Sequence, residues 1–186
     1  MDATAPSSLA VPGGAAMTRG YEGGRRGGQV DDRFAGSPVT TYKFSIDPKR
    51  ANLLQIGSHT LDIPANAICN TKSGYGLETF DLDCTAEKAR VTITAILRET
   101  ADSIPRIDLF PHMRFDPEAT VTLTMSVPAL SRSSSPEWTI LYCPTVTQMY
   151  CVDESVLDPS LATRANYRQH TLFRRIKHFS GYFVES

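Results

Sequence analysis

Residues 121–127 read Val-Thr-Leu-Thr-Met-Ser-Val, an unbroken alternation of apolar and polar side chains. Successive side chains of a β-strand point to opposite faces, so a half-buried strand puts all four apolar groups into one core. On a helix they would scatter around the axis. The same period recurs along the chain. Tyr42, Phe44 and Ile46 alternate with Lys43 and Ser45, and Leu61 and Ile63 flank Asp62. Val91, Ile93, Ala95 and Leu97 alternate with Thr92, Thr94 and Arg98, with Ile96 as the exception. Trp138, Ile140 and Tyr142 form another set, and further candidates run over 169–176 and 178–184. β-Branched and aromatic residues fill these segments, as expected of strands with one buried face. Turn formers separate them: Asp47-Pro48, Pro64-Ala65-Asn66, Ser73-Gly74, Ile104-Pro105, Asp116-Pro117 and the stretch 131–136. Helical spacing is weak, and the best short candidates are 64–68 and 158–168, where Pro159 suits the first helical position. Many short strands without β-α alternation predict an all-β fold, an antiparallel sandwich or barrel.

The first 38 residues break this pattern. They hold eight of the 12 glycines and show no period of strand or helix. Such a segment buries too little apolar surface to offset its ordering entropy, so the chain is expected to divide into a flexible tether over 1–38 and a sandwich over 39–186. The pair Arg25-Arg26 could suggest a Gly-Arg nucleic-acid tail. The charges of the segment balance, however, and 19 Lys+Arg against 20 Asp+Glu leave the 186-residue chain at a formal −1. That total offers no electrostatic basis for a nucleic-acid partner. No apolar run reaches the about 18 residues a spanning helix needs. The start Met1-Asp2-Ala3-Thr4-Ala5-Pro6 resembles the polar beginning of a mature bacterial lipoprotein, with Met1 where the lipidated Cys would stand, which implies a lipid anchor at the native N-terminus.

Four cysteines fall in two close pairs, Cys69 with Cys84 and Cys143 with Cys151. Four cysteines allow three connectivities, and sequence alone does not choose among them. Local pairing is the natural expectation, because 143–151 reads as strand, loop and returning strand, and 69–84 closes a loop around Ser73-Gly74-Tyr75-Gly76. No Cys-x-x-Cys exists, and no histidine stands at zinc-ligand spacing from a cysteine. Disulfides imply an oxidising compartment: the cell surface, the periplasm or secretion.

Three segments, in order, resemble the ZU-type domain, the β-sandwich of zonula-occludens proteins, ankyrins and netrin receptors, and its bacterial cell-envelope relatives. The first is Ile56 through Leu61-Asp62-Ile63-Pro64-Ala65-Asn66-Ala67-Ile68. The second is Ile107-Asp108-Leu109-Phe110-Pro111 leading through Phe115-Asp116-Pro117 to Val121-Thr122-Leu123. The third is Ile176-Lys177-His178-Phe179-Ser180-Gly181-Tyr182-Phe183-Val184. Together they cover most of the expected folded part. The resemblance implies an Ig-like, ZU-type antiparallel sandwich that acts as a non-catalytic interaction or structural module, with protein partners or self-assembly through exposed strand edges.

The resemblance also singles out His178-Phe179-Ser180, a tripeptide at which some ZU-type domains cleave themselves between Phe and Ser. That chemistry needs the Ser hydroxyl as nucleophile, a base, and donors for the oxyanion. A regular strand would place His178 and Ser180 on one face, about 6.5–7 Å apart, too far for direct proton transfer, with Phe179 and Phe183 on the other. The competing expectation is a final strand whose phenylalanines enter the core. Asp153, Glu154 and Asp158 could suggest calcium, as could Asp81 with Asp83. Neither spacing matches an EF-hand loop, and Asp158 is expected to cap the turn at Pro159. Arg164, Arg168, Arg174, Arg175 and Lys177 make the C-terminal quarter basic and could form a polyanion surface, and Trp138 or Tyr75 could bind a glycan. No Gly-x-Ser-x-Gly elbow, phosphate loop or His-Glu-x-x-His occurs, so neither enzymatic activity nor a cofactor is expected.

Overall fold

The computed structural model describes residues 34–131, 137–144 and 151–185. Most of the expected tether, with Arg25-Arg26 and the lipoprotein-like start, lies outside the described residues, as do most of the turn at 131–136 and the loop inside Cys143–Cys151.

The expected antiparallel β-sandwich is present. Among the described residues, ten strands form two five-stranded antiparallel sheets: β1 (Val39–Ile46), β2 (Asn52–Ile56), β3 (His59–Ile63), β4 (Val91–Glu99), β5 (Pro105–Phe110), β6 (Val121–Ser126), β7 (Thr139–Cys143), β8 (Arg164–Asn166), β9 (Thr171–Ile176) and β10 (Gly181–Glu185). One sheet is ordered β1-β4-β5-β10-β7 and the other β2-β3-β6-β9-β8. The alternating residues perform as their period requires. Val121, Leu123 and Met125 are fully buried and meet Ile56, Leu61, Ile93 and Ile107 between the sheets. Each such side chain contributes roughly 1.5–3 kcal/mol by leaving water.

Both helical expectations are corrected. The stretch 64–68 is a turn, in which Asn66 takes φ 61° and its N–H bonds the Pro48 carbonyl at 2.7 Å. The stretch 158–168 divides into a single 3-10 turn (Pro159–Leu161) and the short edge strand β8. A turn-forming Pro64-Ala65-Asn66 and a β-paired Arg164–Asn166 leave too few residues for a helix to nucleate.

One sheet is buried on both faces over part of its width. A single cross-strand row runs Val39, Arg98, Arg106, Phe183, Leu141 on the side away from the main core. Phe183 and Leu141 join Cys143, Cys151 and Phe34 in a second apolar cluster, where the Phe34 ring meets Phe183 edge-on at 5.6 Å. Phe34 precedes β1 at one edge of the sheet yet packs on β10 and β7 at the other. Residues 34–38 therefore cross the row as a strap, and the folded unit begins by Phe34 rather than at Val39. Arg106 and Asp108 are buried on the same face and pair at 3.1 Å, with Arg98 on the other carboxylate oxygen at 2.6 Å.

Candidate functional site

His178-Phe179-Ser180 is not part of a regular strand. β10 begins only at Gly181, and the tripeptide is a bend whose three side chains are all buried. The bend shifts the phase of the alternation. Phe179 enters the main core with Tyr182 and Val184, whereas Phe183 faces the second cluster, so the expectation that Phe179 and Phe183 share a face is corrected. Neighbouring backbone holds the bend. The Phe179 N–H donates to Met113 O at 2.7 Å, Phe115 N–H to Lys177 O at 2.8 Å, and Leu109 N–H to Ser180 O at 2.9 Å. The Tyr75 hydroxyl donates to the Phe179 carbonyl at 2.9 Å.

The polar side chains of the bend are engaged elsewhere than on each other. The Ser180 hydroxyl donates to Cys143 O at 3.0 Å and lies 3.4 Å from Pro144 O; neither carbonyl is a base. His178 turns its Nε2 to the Glu154 carboxylate at 3.1 Å, and because a carboxylate only accepts, Nε2 carries a proton. The Tyr182 hydroxyl donates to His178 O at 2.8 Å and sits 3.3 Å from Nδ1. Phe80 stacks on the imidazole with centroids 4.2 Å apart, and Tyr142 meets it edge-on at 4.5 Å. Burial raises the Tyr75, Tyr142 and Tyr182 hydroxyls above the ordinary tyrosine range, with the Glu154 charge adding to the effect, so all three stay protonated donors at neutral pH.

Four of the five carboxylates considered for calcium, all but Asp83, have other partners. Glu154 bridges His178 and the buried Arg174, whose guanidinium also donates to Ile140 O at 2.5 Å. Asp153 and Asp158 each cap a 3-10 turn, accepting from Ser155 N–H and Ser160 N–H at 2.9 Å. Asp158 and Asp81 share the Lys177 ammonium, at 2.8 Å for Asp158. That ammonium is the main cause holding the Asp158 carboxyl down at about 2. Burial opposes the Lys177 charge, but the two carboxylates outweigh it and raise its pKa. Among the described residues, no cluster of three or more His, Cys, Asp or Glu side chains is arranged to hold a metal ion.

The basic quarter does not form one surface. β9 alternates, so Leu172, Arg174 and Ile176 point inward. Arg175 donates to the Pro117 carbonyl and Lys177 is sequestered between carboxylates, which leaves Arg164 and Arg168 exposed. Trp138 packs partly buried against the main core, and Tyr75 is half-exposed beside His112 at 5.4 Å.

Cys69–Cys84 and Cys143–Cys151 are disulfide-bonded, the local pairing. Sequence reading gave no role to Arg114, yet it organises the first of these loops. Its buried guanidinium donates to the carbonyls of Ser73, Leu82 and Asp83 at 2.6–3.3 Å, a cation at the centre of a ring of peptide oxygens. The loop so held projects apolar side chains into solvent. Of the eight large apolar residues exposed among the described residues, five (Tyr75, Leu77, Leu82, Val156 and Leu157) lie on this loop and the one carrying Glu154–Val156. Lys177 ties the two loops together through Asp81 and Asp158, the immediate neighbours of Leu82 and Leu157. In sequence Val156 and Leu157 look like interruptions of an acidic cluster; two adjacent aliphatics in an otherwise polar loop were the signal.

No family model, curated protein or solved structure matches the chain.

Proposed function

We propose that the chain is a non-catalytic, extracytoplasmic interaction or structural module of the cell envelope, a subunit of a surface assembly. The observation that carries this reading is the apolar pole built from Tyr75, Leu77, Leu82, Val156 and Leu157. Five of the exposed large apolar side chains stand on two loops that a disulfide, a buried guanidinium and a Lys177 bridge fix in place, which supports a surface held ready for a partner. The two disulfides support an oxidising compartment. The order of the ZU-like segments supports an interaction role, and the lipoprotein-like start supports attachment by a lipid anchor. A photo-crosslinking residue at Leu157, with Leu53 on β2 as the exposed control, tests the reading in the native envelope. Protein adducts at 157 and none at 53 are expected; no adduct at 157, or the same adducts at both positions, would refute it.

A second reading, self-cleavage between Phe179 and Ser180, is favoured by the Tyr75 hydroxyl on the Phe179 carbonyl, the place where an oxyanion donor belongs. The Ser180 hydroxyl counts against it, because among the described residues it is directed at the carbonyls of Cys143 and Pro144, neither of which is a base. An intact mass decides: a chain ending at Phe179 and a heptapeptide from Ser180 would establish cleavage, and a single uncut mass would remove it.

A further inference from the structure

We infer that β1 pairs antiparallel with β1 of a second copy of this chain, joining the two five-stranded sheets that contain it into one of ten strands. The contact goes beyond the reading above, since it uses a strand edge and leaves the apolar pole free.

Half of the β1 backbone is unused within the molecule. In an antiparallel pair a residue sends its N–H and C=O to the same side, and the side alternates along the strand. The Leu109 N–H bonds Ser180 O at 2.9 Å, so Leu109 and Ile107 face β10, and Arg106, Asp108 and Phe110 face β4. In the same register the Thr100 N–H bonds Ile104 O at 3.1 Å, and Arg98, Ile96 and Thr94 face β5. Val91, Ile93, Ala95 and Leu97 are left to bond β1, where they stand opposite Ile46, Phe44, Tyr42 and Thr40. The backbone groups of Val39, Thr41, Lys43 and Ser45 therefore point out of the sheet. Among the described residues no backbone bond or bridge reaches them, and all four residues are exposed.

The other edges are protected. At β7 the edge-facing residues are Tyr142, which exchanges two bonds with Val152 at 2.7 and 2.8 Å, and Ile140. The Ile140 N–H bonds Thr163 Oγ1 at 2.9 Å and its carbonyl accepts from Arg174. β2 and β8 are only five and three residues long, and a short edge offers little to pair with. β1 has eight residues, no proline and an unbroken register on β4.

The open groups of β1 are complementary to themselves, which selects a second copy. With a two-fold axis at Tyr42, Val39 faces the second copy's Ser45 and Thr41 faces its Lys43, and the reverse. Every outward N–H and C=O of both strands is then bonded. A shift of the register in either sense leaves one of the four residues unpaired on each strand, and one of the two shifts sets Lys43 opposite Lys43, a destabilising like-charge pair. The side chains agree. Tyr42 and Phe44 stack with centroids 6.4 Å apart and pack, partly buried, on the main core. The two Tyr42 residues form a non-hydrogen-bonded pair with Cα atoms about 4.5 Å apart, so their rings close the open side of both cores. A two-fold contact of this kind uses up both edges and stops at a dimer.

Sedimentation velocity of the full, disulfide-bonded chain between ~1 μM and ~1 mM tests the inference. A monomer–dimer equilibrium and nothing larger than a dimer is expected. Thr41→Pro removes an N–H that bonds nothing within the molecule and should weaken dimerisation at least ~100-fold with the melting temperature little changed. Cysteine crosslinking reads the register without relying on that variant. Residues 41 and 43 of different copies are a hydrogen-bonded pair with Cα atoms about 5.5 Å apart, within disulfide reach, whereas 41 to 41 and 43 to 43 are the more distant diagonals. Thr41→Cys mixed with Lys43→Cys should crosslink at least ~10-fold faster than either variant alone. A wild type monomeric throughout, a folded Thr41→Pro variant that dimerises as the wild type does, or a mixture that crosslinks no faster than its components overturns the inference. None of these results alters the Leu157 adducts, which decide the interaction reading separately.

Discussion

Arg174→Met is the most informative single perturbation of the buried network. The Arg174 side chain is fully buried and donates to Ile140 O at 2.5 Å, Glu154 Oε2 at 2.9 Å and Arg175 O at 3.3 Å. Methionine fills much of the volume but supplies no donor, so Ile140 O loses a partner and the Glu154 carboxylate is left with His178 alone. Breaking a buried ion pair by removing one partner costs about 3–5 kcal/mol. Glu154 keeps 13% exposure of its side chain, which points to the lower end of that range. Relative to a total stability of about 5–15 kcal/mol for an ordinary domain, this is a large loss. Glu154→Gln alone strands the Arg174 cation and should cost about 2–3 kcal/mol. The double variant has no unpaired buried charge, and the Gln carbonyl still accepts from His178 Nε2. It should lose only about 2 kcal/mol, well below the sum of the single losses, a coupling of about 3 kcal/mol. Urea unfolding at pH 7 with the disulfides intact measures all three. A double variant that loses the sum of the two single values would refute the reasoning, because it would show that Glu154 and Arg174 do not depend on one another.

Three further outcomes follow from the geometry. The Ser126 N–H donates to His59 Nδ1 at 3.0 Å, so the buried imidazole is neutral, and burial lowers its pKa despite Glu99 at 3.5 Å. The unfolded chain therefore binds the extra proton first. Stability should fall as pH drops below 6.5, by at most about 1.4 kcal/mol per pH unit, and His59→Gln should remove that dependence from the unfolding curves. Asp158→Asn should destabilise at neutral pH by about 0.5–1 kcal/mol, a modest effect because the pair is partly solvated. Since the folded carboxyl titrates near 2 against 3.8 unfolded, the difference from wild type should shrink as pH falls from 3.8 towards 2, read as converging urea midpoints. At Gly181 a Cβ would stand 2.7 Å from Asp108 Oδ1 and 3.1 Å from Cys143 O. Gly181→Ala should cost about 1–3 kcal/mol, and an unchanged melting temperature would contradict that close approach.

The strand core was legible because period 2 reports burial directly where one face is wet, as at Val121, Leu123 and Met125. It failed where both faces are covered. Ile140-Leu141-Tyr142-Cys143 and Tyr182-Phe183-Val184 are continuous apolar runs, and their outward members join Phe34 in a second cluster that alternation cannot separate from the first. Arg174 shows a different limit. Its place between Leu172 and Ile176 puts it on the inner face, but only tertiary contact with Glu154 and Ile140 O reveals why a guanidinium is tolerated there. The bend at 178–180 was hidden because its donors and acceptors, Met113, Leu109 and Tyr75, are remote in sequence. The apolar pole was only half visible, since Lys177 joins Asp81 and Asp158 from loops more than seventy residues apart.

The strap at Phe34 has a mechanical consequence. β1 is an edge strand held to the sheet by β4 alone, and such a strand unzips one hydrogen bond at a time when pulled from its end. A load arriving from the N-terminal side does not reach that end first. It meets the Phe34 ring, wedged against Phe183 on the far side of the sheet. Force must extract this anchor, and break the short turn closed by Ser37 N–H on Phe34 O, before it can bear on Val39. A sandwich pulled by its leading end is thereby protected at its weakest edge by a side chain seated three strands away.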